Sequence, residues 1–116
     1  MTTKNNKTAR MPLAAQRIAI AEACGWTDIK RGPYDGLPFG RHKSHQLEVV
    51  PDYLNDLNAM RDAEMALEPD QITDYLEWLG MCSGDDAHQV WAYVHATAAQ
   101  RAEAFLLTIG KWESAK

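Results

Sequence analysis

The sequence predicts an α+β fold, with a small antiparallel or mixed sheet of about three strands covered by about four helices. Three observations predict it. Residues 97–110 form a capped and terminated amphipathic helix pattern. Residues 26–31 and 89–95 alternate in the manner of strands. Prolines and glycines cut the remaining apolar stripes into helix-length pieces. The resulting order is α-β-β-α-α-β-α.

In chain order, residues 1–10 (MTTKNNKTAR) are polar and basic without periodicity, and they read as a flexible tail before a single domain over 11–113. Pro12 suits the first position of a helix. Leu13, Ala14, Ile18, Ile20, Ala21 and Cys24 then form an apolar band that Gly25 ends. Trp26 falls where a helix stop folds an apolar side chain back onto the last turn, so it reads as a structural plug. Cys24 reads as a small core residue. Residues 26–31 (WTDIKR) alternate as a strand, residues 32–40 read as a loop because three glycines and two prolines interrupt them, and residues 46–50 offer a second strand.

Pro51 opens a second helix in this reading, with Asp52 or Asn55 as its cap and Tyr53, Leu57, Met60, Ala63 and Leu67 as its stripe. Pro69 opens a third helix that runs to Leu79, turns Ile72, Tyr75, Leu76 and Leu79 inward, and ends at Gly80. After a turn at residues 83–86, residues 89–95 (QVWAYVH) alternate and are rich in β-branched and aromatic residues, the strongest strand signal in the chain. Thr97 and Gln100 then form a capping box. Ala98, Ala102, Phe105, Ile109 and Trp112 recur at steps of four, three, four and three, with Leu106 widening the face and Gly110 as the stop. Gln100, Arg101, Glu103 and Lys111 fall off that face and read as solvated.

A chain of 116 residues, 46% of them hydrophobic and four of them tryptophan, can bury a core without staples. Cys24 and Cys82 form no C-x-x-C pair, and the N-terminus has no apolar segment of the secretory kind, so free thiols in a reducing compartment are expected. No apolar run reaches the length of a membrane-spanning helix. The net charge of -4 is unevenly spread: residues 1–50 hold eight Lys/Arg against four Asp/Glu, and residues 51–116 hold four against twelve.

No G-x-S-x-G, P-loop or G-x-G-x-x-G pattern occurs, so neither an enzyme nor a cofactor is expected. His42 and His45 make an H-x-x-H pair, but they sit in a loop and lack a second ligand pair, so no metal is assigned. Cys82 with His88 or His95 is the remaining nucleophile pair, and a lone cysteine after a helix is usually inert. Two features carry more. Asp52, Asp56, Asp62, Glu64, Glu68, Asp70, Asp74 and Glu77 stand against Arg61 alone, a field that repels nucleic acid and attracts basic partners. Asp62, Asp70, Asp74 and Glu77 are the candidate partner-binding residues, against the plainer reading of a solvated face. The segment 30–45 interleaves cations with aromatics, and Arg31, Tyr34, Phe39, Arg41 and Lys43 are candidates for holding a small anionic ligand or nucleotide. The plainer reading there is an ordinary surface loop.

Three stretches, AEACGW (21–26), VPDYLNDLNAM (50–60) and HATAAQRAEAFLLTIGKW (95–112), resemble the phage ABA sandwich domain family. The resemblance implies an α/β/α layered fold, a phage or prophage origin and a place in the cytoplasm of a bacterial host, and it supplies no activity and no catalytic residues. The expectation is a non-catalytic phage accessory protein that binds a host protein and inhibits a host defence system through its acidic helices. The alternative is a nucleotide or small-molecule sponge using residues 30–45. Direct nucleic-acid or membrane binding is not expected, and a homo-oligomer is left open.

Overall fold

The computed structural model describes residues 11–32, 36–43, 46–83 and 93–112. The tail expected over residues 1–10 lies outside them. The fold is α+β, a three-stranded antiparallel sheet with helices. The elements are α1 (Leu13–Ala23), β1 (Thr27–Arg31), β2 (Pro38–Arg41), β3 (Leu47–Val49), α2 (Leu57–Glu64), α3 (Pro69–Ser83) and α4 (Ala98–Thr108). A helical turn covers residues 93–95.

Helix α1 ends as its sequence prescribes. Gly25 takes φ +98°, the Trp26 amide donates to the Ala21 carbonyl at 3.0 Å, and the Gly25 amide donates to Glu22 at 3.1 Å. These are the two bonds of a Schellman stop, and Trp26 is buried behind it. The start differs from expectation. Pro12 is the cap rather than the first helical residue, Leu13 is 68% exposed, and the buried face includes Gln16. The Gln16 amide is satisfied by donating to the Met11 carbonyl at 2.8 Å, which allows a polar side chain inside.

The sheet runs β1-β2-β3, so its centre is β2, within the stretch expected to be a loop. Pro38 is tolerated because it begins the strand. Its carbonyl still accepts from the Val50 amide at 2.9 Å. Gly40 is required because β1 crosses so closely: a Cβ there would lie 3.0 Å from Ile29 Cγ1 and 3.1 Å from the Thr27 carbonyl oxygen. A register shift between Thr27 and Lys30, with Asp28 at φ 54°, bends β1 over β2.

The strongest strand signal is not followed at its end. Within 89–95, residues 93–95 are helical and the rest lie outside the described residues. The reason lies in Arg101. Its guanidinium donates to the carbonyls of Tyr93 and Ala96, so backbone that would feed a sheet ladder is bonded to a side chain. Arg101 is therefore not solvated, and its side chain is 11% exposed in an ion pair with Glu64 at 3.1 Å.

Two other boundaries move. Helix α2 opens at Leu57, not Pro51, because Asp56 is the cap and its carboxylate accepts from the Asn58 and Ala59 amides. Helix α3 passes through Gly80, which is buried, and Ile72 is 47% exposed in its first turn. Helix α4 agrees with its sequence: both capping-box bonds are made, Gly110 takes φ +76°, and Ala98, Ala102, Phe105 and Leu106 are buried. It packs on α3 most extensively and touches α1 and α2. Phe105, Ile20, Met60, Leu79, Leu106 and Val50 are the largest fully buried side chains. Arg17 ties α1 to the exit of β3 by donating to the carbonyls of Val50 at 2.5 Å and Pro51 at 3.0 Å.

Candidate functional site

The stop of α1, the end of β2 and the outer side of α2 meet around a pocket of about 470 Å³. Its polar and aromatic lining is Cys24, Trp26, His42, Lys43, Tyr53 and Asp62. Each is placed by a local device. The Schellman stop turns Trp26 inward. His42 follows the last residue of β2, and its ring stacks on Trp26 with centroids 5.0 Å apart and planes 7° apart. Its Nε2 lies 3.1 Å from the Cys24 carbonyl oxygen. A carbonyl only accepts, so Nε2 carries the proton in this contact. Tyr53 is held where Arg17 anchors residues 50 and 51. Asp62 comes from the exposed flank of α2, one residue before the buried Ala63.

Burial pushes the Cys24 thiol up, and the charge of Asp62 adds to that, while the hydrogen bond with Tyr53 pulls the other way. The thiol therefore stays protonated, the unreactive form. The imidazole contacts the Cys24 carbonyl and not a nucleophile. Burial also pushes the Tyr53 hydroxyl up, helped by Cys24, against a hydrogen bond from the Trp26 indole. Lys43 and Asp62 are exposed at the rim with opposite charges, and Met65 and Ala66 add apolar wall.

The residues singled out from sequence are divided by the fold. Lys43 lines this pocket. Arg31 and Phe39 line a different depression of about 330 Å³, on the sheet, with Asp28, Lys30 and Leu47. Arg41 is exposed on β2 and pairs with Asp28 at 3.5 Å. Tyr34 lies outside the described residues. Of the acidic candidates, Asp62 lines the pocket, whereas Asp70, Asp74 and Glu77 are exposed on α3. Among the described residues no group of three His, Cys, Asp or Glu is arranged to hold a metal ion, and His45 and His88 lie outside them. Cys82 is half-buried against the core. Sequence reasoning assigned Trp26, Cys24 and Tyr53 to packing alone. Their gathering has no spacing signal, because the pocket draws on three segments that are not contiguous in the chain.

Fold and pocket together define an α+β domain with a small-molecule-sized cleft between a helix stop and a strand end. No family model matches the chain, and neither a curated protein nor a solved structure matches it. No helix among the described residues is long and apolar enough to cross a membrane.

Proposed function

We propose that the protein is a non-catalytic binding domain that takes a small zwitterionic ligand with an apolar body in the pocket beside Trp26. The observation that carries this is the placement of Lys43 and Asp62 on the rim of one apolar, aromatic cleft. At about 470 Å³ the cleft is within the range of small-molecule sites. A nucleotide would bring several negative charges to a rim that carries a carboxylate, which disfavours it. A ligand with one carboxylate and one ammonium meets a partner at each end. Met65, 84% exposed at the mouth, offers an adaptable side chain against the ligand's apolar part.

Calorimetry and thermal shift against free amino acids, aromatic amines, aromatic carboxylates and nucleoside monophosphates test this. A zwitterion with an apolar side chain is expected to raise the melting temperature, and Lys43→Ala and Asp62→Ala should each weaken binding about tenfold, the effect of losing one charge-assisted hydrogen bond. Binding unaltered in both variants, or no response to any zwitterion, refutes the assignment.

A second reading rests on a different observation. Asp70, Asp74 and Glu77 are all exposed on α3, a helix without a cation. With the resemblance to phage proteins, this supports capture of a basic host protein, such as a defence component. Charge reversal of these three residues should then abolish capture by the folded domain, and retained capture rejects that surface.

A further inference from the structure

We infer that the outer face of the sheet is a docking site for the acidic stripe of α3 from a second copy of this chain. Directly paired residues of an antiparallel sheet share a face. Lys30 pairs with Phe39, Phe39 with Val49, and Arg41 with Leu47. Phe39 and Arg41 are two residues apart, so these five side chains share one face. The neighbours of opposite phase on β2, Pro38 and Gly40, are buried. The outer face is not: Leu47 is 58% exposed and Val49 is 45% exposed. The depression of about 330 Å³ lies there, with Lys30, Arg31, Phe39 and Leu47 in its wall. An apolar patch rimmed by charge marks an interaction surface. Here the rim is cationic: Asp28 already pairs with Arg41 at 3.5 Å, which leaves Lys30 on the face and Arg31, whose partner Pro38 has the opposite phase, at its edge.

The complementary surface is in the same molecule. Asp70, Asp74, Glu77 and Met81 recur at steps of four, three and four, so they line one side of α3. Tyr75 and Leu79 occupy the other side and are buried. Met81 is 65% exposed and gives the stripe an apolar end. The charge split of the whole chain has the same sense, since the sheet falls in the cation-rich residues 1–50 and α3 in the acid-rich residues 51–116. The acidic stripe of one copy on the cationic sheet of the next is a heterologous, head-to-tail contact, which closes into a ring or extends as a chain. A nucleic acid would also meet cations and Phe39 on this sheet, but the two cations beyond the Arg41–Asp28 pair neutralise little of a phosphate backbone.

Sedimentation of the full chain tests the contact. Its mass should rise with concentration at low salt and fall towards that of one chain at about 0.5 M salt, where the Debye length is only a few ångströms. Two variants are diagnostic: Lys30→Glu/Arg31→Glu/Arg41→Glu, with two acidic surfaces, and Asp70→Lys/Asp74→Lys/Glu77→Lys, with two basic ones. Each alone should be monomeric, and mixing them should restore association, because every junction is again between opposite charges. Leu47→Ser/Val49→Ser removes only exposed apolar contacts, so it tests the face even where a charge reversal fails to fold, and it should weaken association about tenfold. A wild-type chain that is monomeric at all concentrations overturns the inference. So does association that both reversals and the Leu47→Ser/Val49→Ser variant leave unchanged. A monomer whose sheet face binds an oligonucleotide, with loss in the Lys30/Arg31/Arg41 variant, overturns it in favour of nucleic acid.

Discussion

Gly40 is the residue that lets β1 and β2 pack as they do. Replacing it with alanine puts a methyl group 3.0 Å from Ile29 and 3.1 Å from the backbone oxygen of Thr27, and backbone cannot swing aside. Gly40→Ala should cost about 1–3 kcal/mol, the usual price of overpacking, read from the urea midpoint. The buried hydroxyls set a second expectation. Tyr53 and Tyr75 are both pushed up mainly by burial, and Tyr75 further by its hydrogen bond to Glu64. A raised pKa means that the folded state holds its proton after the unfolded chain has begun to release it. The stability these hydroxyls contribute is therefore complete below the ordinary tyrosine range near pH 10 and is lost as pH climbs through and above it. Urea midpoints at pH 7, 9 and 10.5 should show a fall confined to the alkaline end. Tyr53→Phe should flatten it, and an unchanged slope in that variant counts against the tyrosine as its source. At this scale the sequence was informative where one residue acts on its own backbone. Gly25 and Gly110 were legible as helix stops. Gly40 was not legible as a strand residue, because its need comes from Ile29 and Thr27 of another strand.

Among the elements, α4 organises the helices through one side chain. Arg101 bonds Glu64 of α2 and the carbonyls of Tyr93 and Ala96, and Glu64 in turn accepts from Tyr75 of α3. The guanidinium presents five donors in a fixed fork, which suits it to joining several acceptors. Glu64→Ala strips the anion from a largely buried cation and should cost about 3 kcal/mol. Glu64→Gln keeps an acceptor and should cost less. Chemical denaturation of the two variants checks the order, and equal costs would reject a role for the charge. Periodicity read Arg101 as solvated and could not foretell this role, because its partners come from other elements. The same arginine explains why residues 93–95 leave the strand pattern of their sequence, since tertiary contacts outweigh β-propensities that span only about 1 kcal/mol.

For the whole molecule, the division of charge is a property of the sequence, but its arrangement on surfaces is a property of the fold. Cations from residues 30–43 end on a sheet face and on a pocket rim, and acids from α2 and α3 end partly on that rim and partly on a free helix side. The sequence by itself determined the α+β class, the capping box of α4, both glycine stops and the sign of each half of the chain. Those features depend on hydrogen bonds between residues a few positions apart, or on composition, so no distant partner is needed to read them. Only the tertiary structure decided that Pro38–Arg41 is the central strand, that Arg101 is a buried hub, and that Cys24, Trp26, His42, Lys43, Tyr53 and Asp62 share one pocket. Strand pairing, burial of charge and pocket formation each depend on groups brought together from distant points in the chain, and local pattern carries no information about which distant groups those are.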